Sequence, residues 1–193
     1  MNIFVCVKQV PDTETKISPS ADKYFIETSS IKWIMNPYDE FAVEQALQVK
    51  QANAGSTVTV LRVGSKQSSE TLRTAMAMGA DDGVHVEAPD LLDPYSTAKA
   101  LKAAIEKTGR SADMIFCGKQ AIDSDALQVP QVLAQMLDIP SVSVVVGYEQ
   151  SGETIKLKRE IDGGSLEVYE TKTPCLIACN KGLNTPRYAS LPG

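Results

Sequence analysis

Apolar positions along the chain fall into short continuous runs separated by longer segments of helical periodicity. Ile3-Phe4-Val5-Cys6-Val7 and Met114-Ile115-Phe116-Cys117 are unbroken apolar runs, the pattern of strands buried on both faces. Thr57 to Val63, Gly83 to Val86, Ser141 to Val146 and Pro174 to Cys179 read as further strands, and Ile31 to Met35 as a short one. Between them lie four helical segments. One opens at Asn36-Pro37, where Asn is a good N-cap, Pro suits the first helical position, and Asp39 and Glu40 place negative charge in the first turn. Another runs from Ser68 or Ser69 to about Met78, closed by Gly79. A third spans Pro94 to Lys107 with Ala98, Leu101, Ala104 and Ile105 on one face. The fourth follows a polar loop, Lys119 to Asp125, and ends near Leu137 with Pro130 early in it.

Alternation of strand and helix predicts an α/β fold, a three-layer αβα arrangement around a mainly parallel sheet. After Gly147 the character changes. Thr154 to Arg159 and Leu166 to Glu170 flank Asp162-Gly163-Gly164, a hairpin signal. The expected organisation is a single α/β domain over residues 1–183, with the hairpin near 154–170, and a loop over 184–193.

Charge and composition narrow the function. Nineteen basic against 24 acidic residues give a net charge of −5, with the basic residues scattered, so no nucleic-acid-binding face is expected. No apolar run approaches the about 20 residues of a membrane helix. The N-terminus begins directly with a strand and lacks a secretory leader pattern, so a soluble protein of the bacterial cytoplasm is expected, or of the mitochondrial matrix if eukaryotic. Cys6, Cys117, Cys175 and Cys179 form no CxxC pair and read as buried free thiols rather than metal ligands. The lone histidine, His85, between Val84 and Val86, reads as a strand residue. No GxGxxG, P-loop or GxSxG occurs, and the chain is poorly equipped for acid–base or nucleophilic catalysis.

Three strand-to-loop junctions are expected to meet at one sheet edge, where parallel sheets bind ligands. They are Val7 to Asp12, Val63-Gly64-Ser65, and Cys117-Gly118 through Asp125. The last delivers a helix N-terminus, which can hold phosphate on free N–H groups. It also reads as an ordinary βα loop in which Asp123 and Asp125 cap the helix, and Asn36-Pro37-Tyr38-Asp39 reads equally as a plain helix start.

Five stretches together resemble the electron transfer flavoprotein β family: VKQVPDT (Val7 to Thr13), NPYDEFAVEQAL (Asn36 to Leu47), ETLRTAMAMGADDGVHV (Glu70 to Val86), GKQAIDSDALQ (Gly118 to Gln128) and NTPRYASLPG (Asn184 to Gly193). They occur in family order across almost the whole chain. The resemblance implies an adenine nucleotide α-hydrolase-like fold and an αβ heterodimer. It implies one FAD held mainly by the α subunit, with the β subunit covering part of the flavin and holding a structural AMP. Electrons pass from acyl-CoA or similar dehydrogenases to a quinone oxidoreductase or another acceptor, as in fatty acid oxidation, and the β subunit has no catalysis of its own.

Carried over residue by residue, the family's nucleotide contacts fall on Cys6, on Asn36, Pro37, Tyr38 and Asp39, and on Val63. They continue along Gly118, Lys119, Gln120, Ala121, Ile122, Asp123, Ser124, Asp125, Ala126, Leu127, Gln128 and Val129. Many AMP-binding members carry Asn-Gln-Thr where this chain has Leu127-Gln128-Val129. Electron-bifurcating members bind a second FAD in place of AMP. Their loop commonly ends in Gln-Val as here, and their Thr/Ser-rich helix start partly resembles Asp93 to Thr97. Many of them, however, have Arg at Lys119 and Gly at Ser124, so the AMP type is favoured. Thr13 stands where some members place a flavin-facing aromatic, leaving Tyr38 to contribute a ring. The family's dehydrogenase-docking loop matches Pro186, Arg187, Tyr188 and Leu191, with the leucine as anchor. Family chains continue beyond the position of Gly193 into an arm around the α subunit, which this sequence is expected to lack. A free-standing nucleotide-binding protein of the universal stress type is the remaining alternative.

Overall fold

The computed structural model describes residues 1–190, apart from the side chains of 67 and 68. Ten strands and four α-helices follow in the order β1 (Asn2–Val7), β2 (Gln9–Pro11), β3 (Trp33–Met35), α1 (Pro37–Ala52), β4 (Thr57–Gly64), α2 (Glu70–Met78), β5 (Asp82–Glu87), α3 (Pro94–Lys107), β6 (Met114–Gly118), α4 (Val129–Leu137), β7 (Ser141–Ser151), β8 (Thr154–Glu160), β9 (Leu166–Thr171) and β10 (Cys175–Cys179). Eight of the strands form one sheet in the order β5-β4-β1-β6-β10-β7-β8-β9. The ladders from β5 to β7 are parallel; β8 and β9 add on in antiparallel register.

The buried runs are two-faced, as their composition requires. Ile3, Val5 and Val7 join a core with α1 and α2, through Ala42, Val43, Leu47, Leu72 and Met78. Phe4 and Cys6 point the other way, into a core with α3 and α4, through Leu101, Ile105, Leu133 and Ala134. The sheet is therefore sandwiched between two helical layers, as the alternating pattern predicts.

Several elements differ from the sequence expectation. Gln9–Pro11 pairs antiparallel with Trp33–Met35 as a separate ribbon; Pro11 sits at its end, where its missing N–H costs nothing. β7 does not stop at Val146 but continues to Ser151, because its second half pairs with β8. Within β7, Val144 takes φ 58, a left-handed conformation rare for a β-branched residue, and the register shifts beside it on both sides. α4 starts only at Val129, after Asp125 and Leu127 have taken positive φ.

Candidate functional site

β1 is followed by α1 on one face of the sheet, whereas its parallel neighbour β6 is followed by α4 on the opposite face. The chain thus diverges between the carboxyl ends of β1 and β6, the position at which open α/β sheets bind ligands. A cavity of about 360 Å3 opens there. The adjacent pair Cys6 and Cys117 and the end of β4 at Val63 border it, together with the 118–129 loop and the start of α3.

The loop after β6 is held by two buried side chains at the start of α1. Asn36 is 1% exposed and holds the N-cap position of α1 without a side-chain capping bond. Its Nδ2 donates to the Gln120 carbonyl and to Asp39 Oδ1, both at 2.9 Å, and its Oδ1 accepts from the Ile122 N–H at 3.1 Å. Asn36 stands at the N-cap as expected, but its amide turns to the 118–125 loop, which offers the donor and acceptor partners that a buried amide needs. Asp39 receives the Lys8 N–H at 2.7 Å and the Gly118 N–H at 3.1 Å, so it ties the ends of β1 and β6 together. Burial pushes its carboxyl up to about 7, against the lowering effect of these donors.

Gly118 is required by this packing. A Cβ there would meet Asp39 Oδ1 and come within 2.8 Å of Tyr38 Cβ and 2.9 Å of the Tyr38 carbonyl carbon. Lys119 places its Nζ 5.0 Å from the Tyr38 ring centroid, a cation–π distance. Asp123 is bound by Lys8 Nζ at 2.7 Å, and Gln120 Nε2 bonds Asp125.

Of the residues singled out from sequence, Cys6, Asn36, Asp39, Val63, Gly118, Gln120, Ala121, Asp123, Ser124, Ala126, Leu127 and Val129 line the cavity. Pro37, Tyr38, Lys119, Ile122, Asp125 and Gln128 do not; they shape the loop and helix starts around it. The structure adds Lys8, Arg62, Asp90, Leu91, Leu92, Pro94, Thr97, Leu101 and Pro130. Arg62 had a visible signal, a lone charge inside the apolar run Val58 to Val63.

The chemistry of the lining favours holding a ligand. All four cysteines are buried and free. Cys117 is raised well above the ordinary thiol value by its hydrogen bond with Cys6 and by burial, and Cys179 is raised by burial and the nearby Asp39 charge, so both stay protonated. The carboxylates are engaged: Asp39 and Asp123 as above, and Asp90 by the Ser65 N–H at 2.9 Å. His85 lies on β5 with its Nε2 2.9 Å from the Gly64 carbonyl, to which it donates. Among the described residues no group of three or more His, Cys, Asp or Glu could hold a metal, and no helix is long and apolar enough to cross a membrane.

The electron transfer flavoprotein domain, as a family model, matches residues 24–192. The electron transfer flavoprotein subunit beta of Dictyostelium discoideum is 42% identical over 191 residues, 99% of this chain and 75% of that protein. The chain belongs to the electron transfer flavoprotein β-subunit family. The human electron transfer flavoprotein subunit beta is 39% identical, with 100% of this chain and 76% of that protein covered. The acryloyl-CoA reductase electron transfer subunit gamma of Anaerotignum propionicum is 43% identical, with 100% and 73% covered. This family membership makes the chain an electron-transfer subunit.

The residues matched to the family's docking loop lie along α1. Asn184 Nδ2 donates to the Phe41 carbonyl at 3.0 Å. Arg187 grips Glu44 through Nε at 2.7 Å, Nη2 at 2.9 Å and its backbone N–H at 3.1 Å. Pro186 is half-buried between them, and Tyr188 stands 98% exposed. Leu191 lies outside the described residues.

Proposed function

We propose that this chain is the β subunit of an αβ electron transfer flavoprotein and holds AMP in the cavity between the ends of β1, β4 and β6. The observation that carries this reading is the cavity at the strand divergence, apolar along Val63, Leu92 and Leu101 and bounded by a loop that Asn36 and Asp39 fix in place. A preformed, partly apolar cavity with a few fixed polar groups is what a nucleotide needs. The residues present fit the group: Val63 and Leu101 offer apolar surface to a base, and the 118–129 loop and α4 offer backbone N–H groups to phosphate.

The partner in this reading is the family's α subunit, which carries the FAD that accepts and donates electrons. This chain covers part of that flavin and docks acyl-CoA or similar dehydrogenases through the segment containing Pro186, Arg187, Tyr188 and Leu191. Electrons then pass to a quinone oxidoreductase or another acceptor. The Glu44–Arg187 contact supports the docking role, because it fixes the base of that segment while Tyr188 stays exposed. The setting is the cytoplasm of a bacterium or a mitochondrial matrix.

One observation favours a second reading, an FAD in place of AMP. Pro94 and Thr97 at the start of α3 reach the cavity, and a neighbouring cavity of about 840 Å3 shares Lys8, Arg62, Asp90, Leu91 and Asp123 with it. The second cavity offers room beside the first for the flavin half of a dinucleotide. Mass analysis of the nucleotides released from the complex with the α subunit separates the readings. One AMP with one FAD per αβ pair is expected. Two FAD without AMP would replace the first reading by the second, and a flavin-free homodimer releasing ATP would overturn both.

A further inference from the structure

Arg62 is the unusual residue of β4. It is 5% exposed, in a strand whose other neighbours are apolar or small. Its Nε is sealed from solvent without a hydrogen-bond partner. Its ion pair among the described residues is a long one, 3.9 Å from Nη2 to Asp90 Oδ1, and the Asp90 side chain is 58% exposed. The same Asp90 oxygen already accepts the Ser65 N–H. Asp39 and Asp123 also act on the guanidinium as charges. Asp39, however, is occupied by three N–H donors and Asp123 by Lys8. Burial pulls the Arg62 pKa down, the direction expected for a cation whose lost hydration is incompletely replaced.

The surrounding backbone is shaped for this side chain. At Gly64, φ is +151, and a Cβ would lie 2.7 Å from both Nη1 and Nη2 of Arg62. Glycine therefore leaves the guanidinium its space beside the cavity. A buried, poorly paired cation destabilises a fold, and an anion brought to it removes that cost. The planar guanidinium suits a phosphate, which it can meet with two parallel N–H donors. Arg62 borders both cavities.

We propose that Arg62 is a phosphate-binding residue of the nucleotide site, its guanidinium supplying the charged donors for a ligand held against Cys6, Val63 and the 118–129 loop. The assignment rests on the nucleotide reading above and adds a side chain to it. It also explains how the loop binds an anion although Leu127 and Val129 offer no polar side chain: the charge comes from the strand beneath.

The test uses the αβ complex freed of nucleotide and titrated calorimetrically with AMP, FAD and adenosine. In the wild type AMP binds more tightly than adenosine. Arg62→Met weakens AMP roughly 10- to 100-fold, the loss of a charged hydrogen-bond set, and leaves adenosine unchanged. Arg62→Lys recovers part of the loss. The nucleotide-free Arg62→Met complex melts at the same or a higher temperature than the wild type, because a poorly paired buried charge is gone. Unchanged AMP affinity in Arg62→Met, equal losses for AMP and adenosine, or a nucleotide-free variant melting several degrees lower would each overturn the proposal. Wild type that binds FAD and not AMP would sink the AMP reading alone, and Arg62 would then be judged by the same loss for FAD. Wild type that binds neither would end both.

Discussion

The contact between Arg187 and Glu44 gives a direct test of how the C-terminal segment is held. Glu44 belongs to α1, and its side chain is 6% exposed; the Arg187 side chain is 33% exposed. Two guanidinium nitrogens and one backbone N–H reach the carboxylate, and Gln48 Nε2 adds a fourth donor at 3.0 Å. A fully exposed pair contributes about 0.2–1 kcal/mol, whereas breaking a buried one costs about 3–5 kcal/mol. This pair is half sealed and bidentate, so a coupling of about 1–3 kcal/mol is expected between Glu44→Ala and Arg187→Ala. Arg187→Ala alone is the more damaging single change, since it leaves a buried carboxylate short of its strongest donors. Urea denaturation of the wild type, both single variants and the double variant measures the coupling. Hydrogen exchange provides a local readout: the Ser190 N–H, bonded to the Ala77 carbonyl at 3.0 Å, should lose protection in Arg187→Ala. Burial pushes the Glu44 carboxyl up, but the Arg187 and Gln48 hydrogen bonds outweigh it and hold it below the ordinary value. With a depressed folded-state value, this stabilisation is present at neutral pH and is lost as pH falls through that value, so the coupling should shrink in acid. A coupling below about 0.3 kcal/mol at neutral pH, within ordinary additivity error, would refute the reasoning, as would unchanged exchange at Ser190.

Two further changes probe the cavity. Gly118→Ala forces a methyl against Asp39 and the Tyr38 backbone. It should cost about 1–3 kcal/mol in denaturation and weaken nucleotide binding; a variant as stable as the wild type would show that the β6–α1 contact yields freely. Asp39 has its carboxyl raised to about 7 from 3.8, so its contribution to stability is full below 3.8 and is lost as pH rises through about 7. Asp39→Asn should flatten that part of the stability–pH curve, measured by urea midpoints from pH 3.8 up to about 7, and an unaltered slope would assign the dependence to another group.

How far the sequence discloses this molecule depends on the range of the interactions involved. The apolar runs at Ile3 to Val7 and Met114 to Cys117 specify strands by themselves, since a run buried on both faces needs no particular neighbour to be recognised. The hairpin at Asp162-Gly163-Gly164 is equally local: two glycines with φ 76 and 75 make the turn. The length of β7 past Gly147 was hidden because it depends on β8 pairing with it. The ribbon of Gln9–Pro11 with Trp33–Met35 was hidden for the same reason, its partners lying more than 20 residues apart. Asn36 satisfies every local rule for a helix cap, yet a loop 84 residues away engages its side chain. At the site, family motifs located the loop and the Asn36–Asp39 turn. Arg62 stood out as a lone charge in its run, but its meaning depends on which carboxylates fail to reach it, and only the three-dimensional structure gives that.

The position of β10 bears on how the chain is made. Cys175–Cys179 lies between β6 and β7, so a strand that follows the other described strands in sequence occupies the interior of the sheet. Until it emerges from the ribosome, the edges of β6 and β7 that it pairs with lack their partner. Such edges recruit other strands. The growing chain is therefore a good client for chaperones until β10 has been made, and only then can the β6 and β7 sides of the sheet close around it.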